Sequence, residues 1–573
     1  MTKPSAHAPR KQRCSTLITL AALCLSTVLS FAYFPEEEIP FVSVSKPFYI
    51  TPQIRHLSLE NPTSYGRLVD IFNKLEPKGA KGDVQIGYTL TFPLYYYFEK
   101  KGDAWVIHEQ AIHNIIKAAE KLNRPFVVYI AADHFFGDTP FGEYLASIPS
   151  SLMQFQDGTV PKEKYFNTGL VPFSISNDVS LPHIKAKIDV LKVVARELVA
   201  LHARNKHLLI GISMNGETHY MFENFFSGTG NFNNPRYTDF APHAIQEFES
   251  YLQTRKLSKQ YTASDIKKTD FSQYPWGTYP FFGWYCPTYA DEKIAIYHNG
   301  TRLGYAEMQL NRMDVYEALP KMNNANCGFR YHVDFSTWKA GTHRIEAVLE
   351  YQHQRYALDN NQLLLQVDER NATPPLSTPQ TLPSIASINR KGYVDGGRED
   401  PIHVHFEPLA QHWMDFRHAT ILNHQEMLAD VFKQAGLPSS LLYNYQLPPW
   451  MNGDWNEALF GVGTDFYQKS TLRAGVTLYG GNTLNPHMLD YLPKNQPYGI
   501  PEFHPQMEGN ATIAEAALRF HAAHGATFVS PYYMNVGDKP IDKSNHYYML
   551  IEPWNTHKSS DALYDAIKRL ARY

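Results

Sequence analysis

Two glutamates stand out by the residues that lead into them. Glu217 follows the apolar run Leu208-Leu209-Ile210-Gly211-Ile212, within Ser213-Met214-Asn215-Gly216-Glu217-Thr218-His219-Tyr220. Glu502 sits in Gly499-Ile500-Pro501-Glu502-Phe503-His504. Each lies where a short apolar strand pattern meets polar residues. Two carboxyls facing each other across a cleft are what glycosidic bond cleavage needs. One protonates the departing oxygen, and the other attacks the anomeric carbon or activates water. The acid must keep its proton near neutral pH, so its surroundings must raise its pKa. The two residues belong to opposite halves of the chain, and only a closed fold can bring them together.

Other polar and aromatic residues stand at comparable positions. Asp133 and His134 follow the run Phe126 to Ile130, and Asn215, His219, Asn444 and His504 flank strand ends where sugar hydroxyls could be bound. Trp450, Tyr479, Tyr532 and Tyr533 follow later strands and are candidates for stacking on sugar rings. His403-x-His405-x-Glu407 would place three ligands on one strand face. It reads better as a solvated or hydrogen-bonded face, so no metal is expected. Neither a glycine-rich phosphate loop nor a Gly-x-Ser-x-Gly elbow occurs, and no cofactor is expected.

The elements that must position these residues follow an alternating rhythm. Val84 to Thr91, Phe126 to Ile130, Leu170 to Ile175 and Leu208 to Ile212 read as strands. Between them, Ile112, Ile115, Ile116, Ala119 and Leu122 form one helical stripe, and Ile184, Ile188, Leu191, Leu198 and Leu201 another. The rhythm resumes with a helix from Ala419 to Ala435 ended by Gly436. Strands are then expected at Leu441 to Tyr445, Ala474 to Tyr479, Tyr498 to Phe503 and Thr527 to Ser530. Helices follow at Ile513 to His524 and Asp561 to Leu570, the last with Ser560 as N-cap. Four strands precede the interruption and four follow it. This predicts an α/β fold, a (β/α)₈ barrel whose halves span residues 33–280 and 371–573, and catalytic groups belong at the C-terminal ends of its strands.

Residues 281–370 interrupt the barrel with a small all-β insert of sandwich type. Lys293 to His298 alternates, Asn299-Gly300 marks a tight hairpin, and Phe329 to Val333 and Arg344 to Tyr351 alternate with period two. The Pro/Ser/Thr-rich stretch 371–385 reads as the linker back. Cys286 and Cys327 both fall in or beside the insert, and a disulfide between them would staple a module with a small core.

The chain has 573 residues, with 43% hydrophobic and 19% charged, which suits a large globular core and excludes wholesale disorder. Its formal net charge of -3 and the lack of basic tracts beyond the N-terminus exclude a nucleic-acid footprint. Residues 1–32 read as an export segment. Lys3, Arg10, Lys11 and Arg13 precede an apolar run, and Ser30-Phe31-Ala32 offers a cleavage site. An uncleaved membrane anchor remains the alternative. The expected location is periplasmic or extracellular, and the expected partner is a carbohydrate. Nothing in the sequence sets an oligomeric state.

With these residues in place, the chain resembles the large retaining (β/α)₈ clan of glycoside hydrolases, nearest to β-galactosidases of the family 42 type. The resemblance rests on the two glutamates, on Tyr237-Thr238-Asp239-Phe240-Ala241 before the helical run Ile245 to Leu252, and on Trp413-Met414-Asp415-Phe416-Arg417. It implies Glu217 as acid/base at strand four and Glu502 as nucleophile at strand seven. The clan places Asn directly before the acid/base Glu, whereas here Gly216 separates Asn215 from Glu217. A strand bulge would restore the spacing. Gly283-Trp284, Asn311-Arg312-Met313-Asp314-Val315 and Gly328-Phe329 make the insert similar to a β-sandwich module of surface-polysaccharide enzymes, with Met313 in place of that module's Pro. The expected function is a glycoside hydrolase acting on a β-linked oligo- or polysaccharide with retention. An inverting hydrolase using the same two acids is one alternative. A non-catalytic polysaccharide-binding protein in surface-glycan export or assembly is the other.

Overall fold

The computed structural model describes residues 41–573, except 78, 80, 132–138, 162–171, 222–235, 290, 311, 313–314, 316–317, 320–325, 369–385, 395–399, 449–456, 480–482, 485, 505–510, 533, 535 and 537–557. The export segment, Asp133, His134, Trp450 and Tyr533 therefore lie outside the described residues. Among the described residues no helix is long and apolar enough to cross a membrane.

Eight parallel strands close into a barrel. In chain order they are strand one (Phe48–Ile50, resuming as Gln53–Arg55), strand two (Val84–Ile86, resuming as Tyr88–Pro93), strand three (Phe126–Ala131) and strand four (Leu209–Ser213). Strand five (Leu442–Tyr443), strand six (Gly475–Tyr479), strand seven (Tyr498–His504) and strand eight (Ala526–Pro531) complete it. Each pairs in parallel with the next, and Tyr49↔Phe528 and Ile50↔Val529 close the ring between strands eight and one. Strand five reaches strand six through the parallel bridges Tyr443↔Arg473 and Gln446↔Val476. This is a (β/α)₈ barrel, in which strands buried on both faces need apolar runs rather than alternation.

The count of eight matches the expectation, but one member differs. The described part of the Leu170 to Ile175 run, residues 172–175, does not form a barrel strand. Of its described part, Phe173 makes only an isolated antiparallel bridge to Leu152. Strand one takes the eighth place. Its two segments, the apolar Phe48–Ile50 and the mostly polar Gln53–Arg55, are only three residues long and are separated at Thr51-Pro52, too little periodicity to register in the sequence. Strand three is therefore the one that leads to Asp133 and His134.

The helical ring shows where the insert leaves the barrel. Helix Pro182–Arg204 packs against Glu109–Leu122 on one side and Pro408–Ala435 on the other, which makes Pro408–Ala435 the fourth helix of the ring. It starts eleven residues earlier than expected, because Glu407 accepts the Leu409 N–H as N-cap and Pro408 fits the first turn. Glu407 is thus a helix cap, and the described residues hold no cluster of metal ligands. The terminal helix likewise begins at Lys558, so Ser560 lies inside it.

Everything from 214 to 407 is consequently one long excursion between strand four and its helix. The excursion carries a nine-stranded sheet running from Thr278–Tyr285 to Ile402–Val404. Eight of its strands form one hydrogen-bonded path and Ile402–Val404 pairs off that path with Gln354–Val367, all in one sheet in place of two separate ones, around a core that includes Phe281, Ile296, Phe329, Leu349 and Leu365. The sheet takes in Ala386–Val394 and Ile402–Val404, beyond the expected limit at 370. The Asn299-Gly300 hairpin turn is present. The expected disulfide is not formed: Cys286 and Cys327 are both thiols. They sit just beyond the paired ends of the antiparallel strands Thr278–Tyr285 and Gly328–Asp334, within hydrogen-bonding reach, and the contact from Cys327 lowers the Cys286 pKa.

The module leans on the barrel through Glu307. Its carboxylate pairs with Arg330 at 3.0 Å and accepts the Tyr491 hydroxyl at 2.7 Å. Tyr491 belongs to the connection between strands six and seven.

Candidate active site

The barrel interior is filled in layers from the N-terminal end. Tyr49, Val127, Ile210, Tyr443 and Phe528 pack together at the bottom. Gly499 is required there, since a Cβ would lie 2.4 Å from the Phe528 ring. Above them, the hydroxyls of Thr51, Thr89 and Ser530 bond to one another at 2.7–3.1 Å. The next layer holds the chemistry.

Strand seven has one residue too many for its neighbours. Gly475↔Gly499 is followed by Thr477↔Glu502, and Ile500↔Val529 by Phe503↔Pro531. In each pairing strand seven advances three residues while its partner advances two. That is a β-bulge, centred on Pro501, and it reverses which side chains face inward. Proline suits the extra position because it has no N–H to pair. The Pro501 carbonyl accepts from Gln53 Nε2 at 2.7 Å. As a result Gly499, Glu502 and His504 all face the barrel interior, and Phe503 is buried in the outer core.

Glu502 is held by two partners. Tyr445 donates its hydroxyl to Oε2, and His504 Nε2 is hydrogen-bonded to Oε1. The Glu502 side chain is only 12% exposed and that of His504 5%. Burial pushes the Glu502 carboxyl up to about 8 and the His504 imidazole down to about 3. Glu217 opposes the second effect, its negative charge favouring a proton on His504.

Glu217 is reached through a turn, not through the strand bulge expected. Asn215 and Glu217 both have left-handed backbone, with φ of 42° and 50°. Asparagine tolerates that region, but for glutamate it costs about 1–2 kcal/mol. The turn is closed by Asn215 Nδ2 donating to Thr218 Oγ1 at 2.9 Å and by Thr218 Oγ1 donating to the Asn215 carbonyl at 2.5 Å. Gln446 Nε2 donates to the Thr218 carbonyl at 2.5 Å. The Asn215 amide therefore serves the turn.

Gly216 is explained by space. A Cβ there would meet Tyr445 Cε1 at 2.5 Å and the Tyr129 ring at 2.7 Å. The two tyrosines pack with ring centroids 4.8 Å apart. The Glu217 N–H donates to the Tyr445 carbonyl at 3.1 Å. Tyr445 thus touches both acid-bearing segments, through its backbone on one side and its hydroxyl on the other. Its own N–H donates to Oε1 of the buried Gln425, and Gln425 Nε2 donates back to its carbonyl, both at 3.2 Å.

The remaining candidates divide. Tyr532 stacks on His504, with centroids 4.7 Å apart, and so joins the site. Tyr479 pairs through its backbone with His504. Asn444 faces the other way: its Oδ1 accepts the Gly475 N–H at 2.6 Å and ties strand five to strand six. His219 lies edge-on to Phe460 at 5.3 Å, with Nδ1 donating to the Tyr220 carbonyl. Tyr445 and Tyr129 were missed in the sequence. The period of two on strand five would have found Tyr445, since Tyr443 and Tyr445 share the inward face and Asn444 does not.

The chain matches no protein-family model and no curated protein sequence. Solved structures with a similar chain path include a β-galactosidase from Rahnella sp. R3, at 9% identity and TM-score 0.45 over 93% of this chain. A β-galactosidase from Marinomonas ef1 gives 10% and 0.44 over 91% of this chain. The catalytic domain of a β-amylase from Paenibacillus polymyxa gives 10% and 0.43 over 92% of this chain and 100% of its own. This chain spans 57% and 59% of the lengths of the two β-galactosidases.

Proposed function

We propose that the chain is an exported glycoside hydrolase acting on a β-linked oligo- or polysaccharide, with Glu217 and Glu502 as its two carboxyl groups. The observation that supports this reading is that Tyr445 bonds both the Glu502 carboxyl and the main chain of Glu217 at the C-terminal end of the barrel, with His504 bonded to Glu502 and within electrostatic reach of Glu217. In the retaining version Glu217 protonates the leaving oxygen. Glu502 attacks the anomeric carbon and forms a glycosyl-enzyme, and Glu217 then deprotonates the water that releases the sugar. Glu502 must be ionised to attack. The Tyr445 hydroxyl and an imidazole N–H from His504 are the two donors that stabilise that carboxylate.

The test is turnover on a panel of aryl β-glycosides and β-linked oligosaccharides, followed by release of reducing sugar. Glu502→Gln is expected to abolish turnover while sugar binding, measured by calorimetry, stays close to that of the parent. Binding without turnover by the parent protein would favour the polysaccharide-binding alternative.

One observation favours a second reading. A carboxyl pushed up to about 8 is protonated at neutral pH, which suits a general acid. Glu502 would then protonate the leaving oxygen while Glu217 activates water, with inversion. NMR of the first-formed anomer separates the two mechanisms.

A further inference from the structure

We infer that the β module carries a second glycan-binding site, a platform of three aromatic rings on which a neutral β-linked chain lies beside the barrel. The rings are those of Phe282, Trp284 and Tyr393. The choice of a β-linked chain rests on the function proposed above, whereas the platform rests on the geometry of the sheet.

Alternation divides the side chains of Thr278–Tyr285 between two faces. Tyr279, Phe281 and Tyr285 belong to the module core, so Phe282 and Trp284 point outward. Tyr393 is the Cα partner of Trp284 and shares its face, while the adjoining Val394 enters the core. Residues two apart on a strand are separated by about 6.8 Å, and directly paired residues have Cβ atoms about 4.5–5.5 Å apart. The three rings therefore form one patch. Phe282 is 43% exposed and Tyr393 40%, and Trp284 is half-buried.

The other exposed aromatic rings are engaged. Tyr96 packs on His56 with centroids 4.4 Å apart, Tyr144 on Phe141 at 5.9 Å, Tyr289 on Tyr351 at 5.1 Å and Tyr573 on Phe41 at 5.7 Å. Tyr305 carries the cations of Lys293 and Arg302. Among the described residues, no ring or cation rests on Phe282, Trp284 or Tyr393, and the Trp284 indole N–H and the Tyr393 hydroxyl make no hydrogen bond.

A sugar suits such a patch. A pyranose presents C–H bonds on its face and hydroxyls around its edge. The C–H groups pack on the electron-rich face of an aromatic ring, and the hydroxyls need polar groups at the margin. Both flanks supply them. On one side Gly328 is the Cα partner of Trp284, and Arg312 lies over it: a Cβ at Gly328 would meet Arg312 Cγ at 2.9 Å. On the other side the exposed Asp359 is the Cα partner of Tyr393. One cation and one anion balance, which favours a neutral chain over an anionic one.

The patch also borders the barrel. Arg330 is the Cα partner of Phe282 and pairs with Glu307, whose carboxylate accepts the Tyr491 hydroxyl. Tyr491 lies in the connection that leaves the C-terminal end of strand six, the end of the barrel at which Glu217 and Glu502 stand. A long substrate can engage both places, and a short one cannot.

The test uses the full chain carrying Glu502→Gln, so that the probe is not digested. This chain is run on native gels cast with soluble β-galactan, β-glucan or xylan, beside the same chain with Phe282→Thr and Tyr393→Thr added. Threonine keeps the strand propensity of both positions, and thermal denaturation checks the fold. Where the pair lowers Tm, each single substitution is read instead. At least one polysaccharide should retard the Glu502→Gln chain, and the added substitutions should weaken that retention about tenfold, as expected when two ring contacts are lost. With Glu502 intact, the same pair should lower the ratio of turnover on that polysaccharide to turnover on an aryl β-glycoside, again about tenfold. No retardation in any gel, equal retardation of both chains, or a proportional loss on both substrates would overturn the proposal. Sedimentation showing self-association through these two residues would give the face to a second copy of the chain and would equally overturn it. If the parent protein hydrolyses no glycoside, the functional reading fails, and the gels still decide whether the platform binds.

Discussion

The main-chain N–H of Glu217 donates to the carbonyl oxygen of Tyr445 across 3.1 Å, and the phenol of the same Tyr445 donates to Glu502. One residue just past the shortest barrel strand thereby holds one carboxyl group and the turn that carries the other. A displacement of Tyr445 moves the turn that carries one acid and removes a hydrogen bond from the other.

Tyr445→Phe keeps the ring and the backbone contacts but deletes the donor to Glu502. A hydrogen bond to a charged group contributes about 1.5–3 kcal/mol, so the ionised carboxylate loses that much relative to the acid. The kcat should drop about tenfold to a hundredfold, and the acid limb of kcat/KM should move to higher pH. A pH–rate profile that superimposes on the parent would show that the phenol does not stabilise the carboxylate.

Gly216→Ala places a methyl group within 2.5 Å of Tyr445 and 2.7 Å of Tyr129. Overpacking of this kind costs about 1–3 kcal/mol. Because the tyrosines must yield, activity should fall by more than the loss of stability explains. Thermal denaturation alongside kcat separates the two effects. A variant with normal kcat would mean that Tyr445 need not be fixed.

Stability should depend on pH through Glu502. Its folded pKa of about 8 lies above the ordinary 4.5, so between those values the folded state holds a proton that the unfolded state has released. Stability from this group is full below about pH 4.5 and is lost as the pH rises toward 8. His504 has the opposite sign. Its folded value of about 3 lies below 6.5, so its contribution grows as pH rises between those limits. Comparing Glu502→Gln with the parent isolates the first effect. The variant's advantage in Tm should widen from about pH 4.5 to about pH 8 and then level off. A constant difference across that range would rule out a buried, neutral Glu502.

Glu307→Ala removes the carboxylate beside the nearly buried Arg330 and the acceptor of the Tyr491 hydroxyl. Leaving a buried guanidinium without that partner should cost about 3 kcal/mol. The expected outcome is a lower Tm in thermal denaturation. An unchanged Tm would show that the β module does not lean on the barrel through this group.

The sequence by itself determined most of the barrel. Apolar runs such as Phe126–Ala131 and Leu209–Ser213 can only be strands buried on both faces, and the helical stripes between them require a layer outside. It also determined that Glu217 and Glu502 follow or lie in strands four and seven, because each adjoins an unambiguous run. Local signals such as Asn299-Gly300 and the helix stop at Gly436 were equally legible, since a left-handed turn is decided by a few adjacent residues.

Only the tertiary structure decided the rest. Strand one is two short runs that become a strand by pairing with residues near 85 and 528, a stabilisation that no local window contains. The bulge at Pro501 exists only as a mismatch with two neighbouring strands, and it turns Glu502 and His504 inward together. Gly216 looked like a departure from the clan's spacing until the rings of Tyr129 and Tyr445 were found to fill the place of its side chain. The pKa of Glu502 follows from the same cause. Its burial is a property of the closed barrel, which only contacts distant in sequence create.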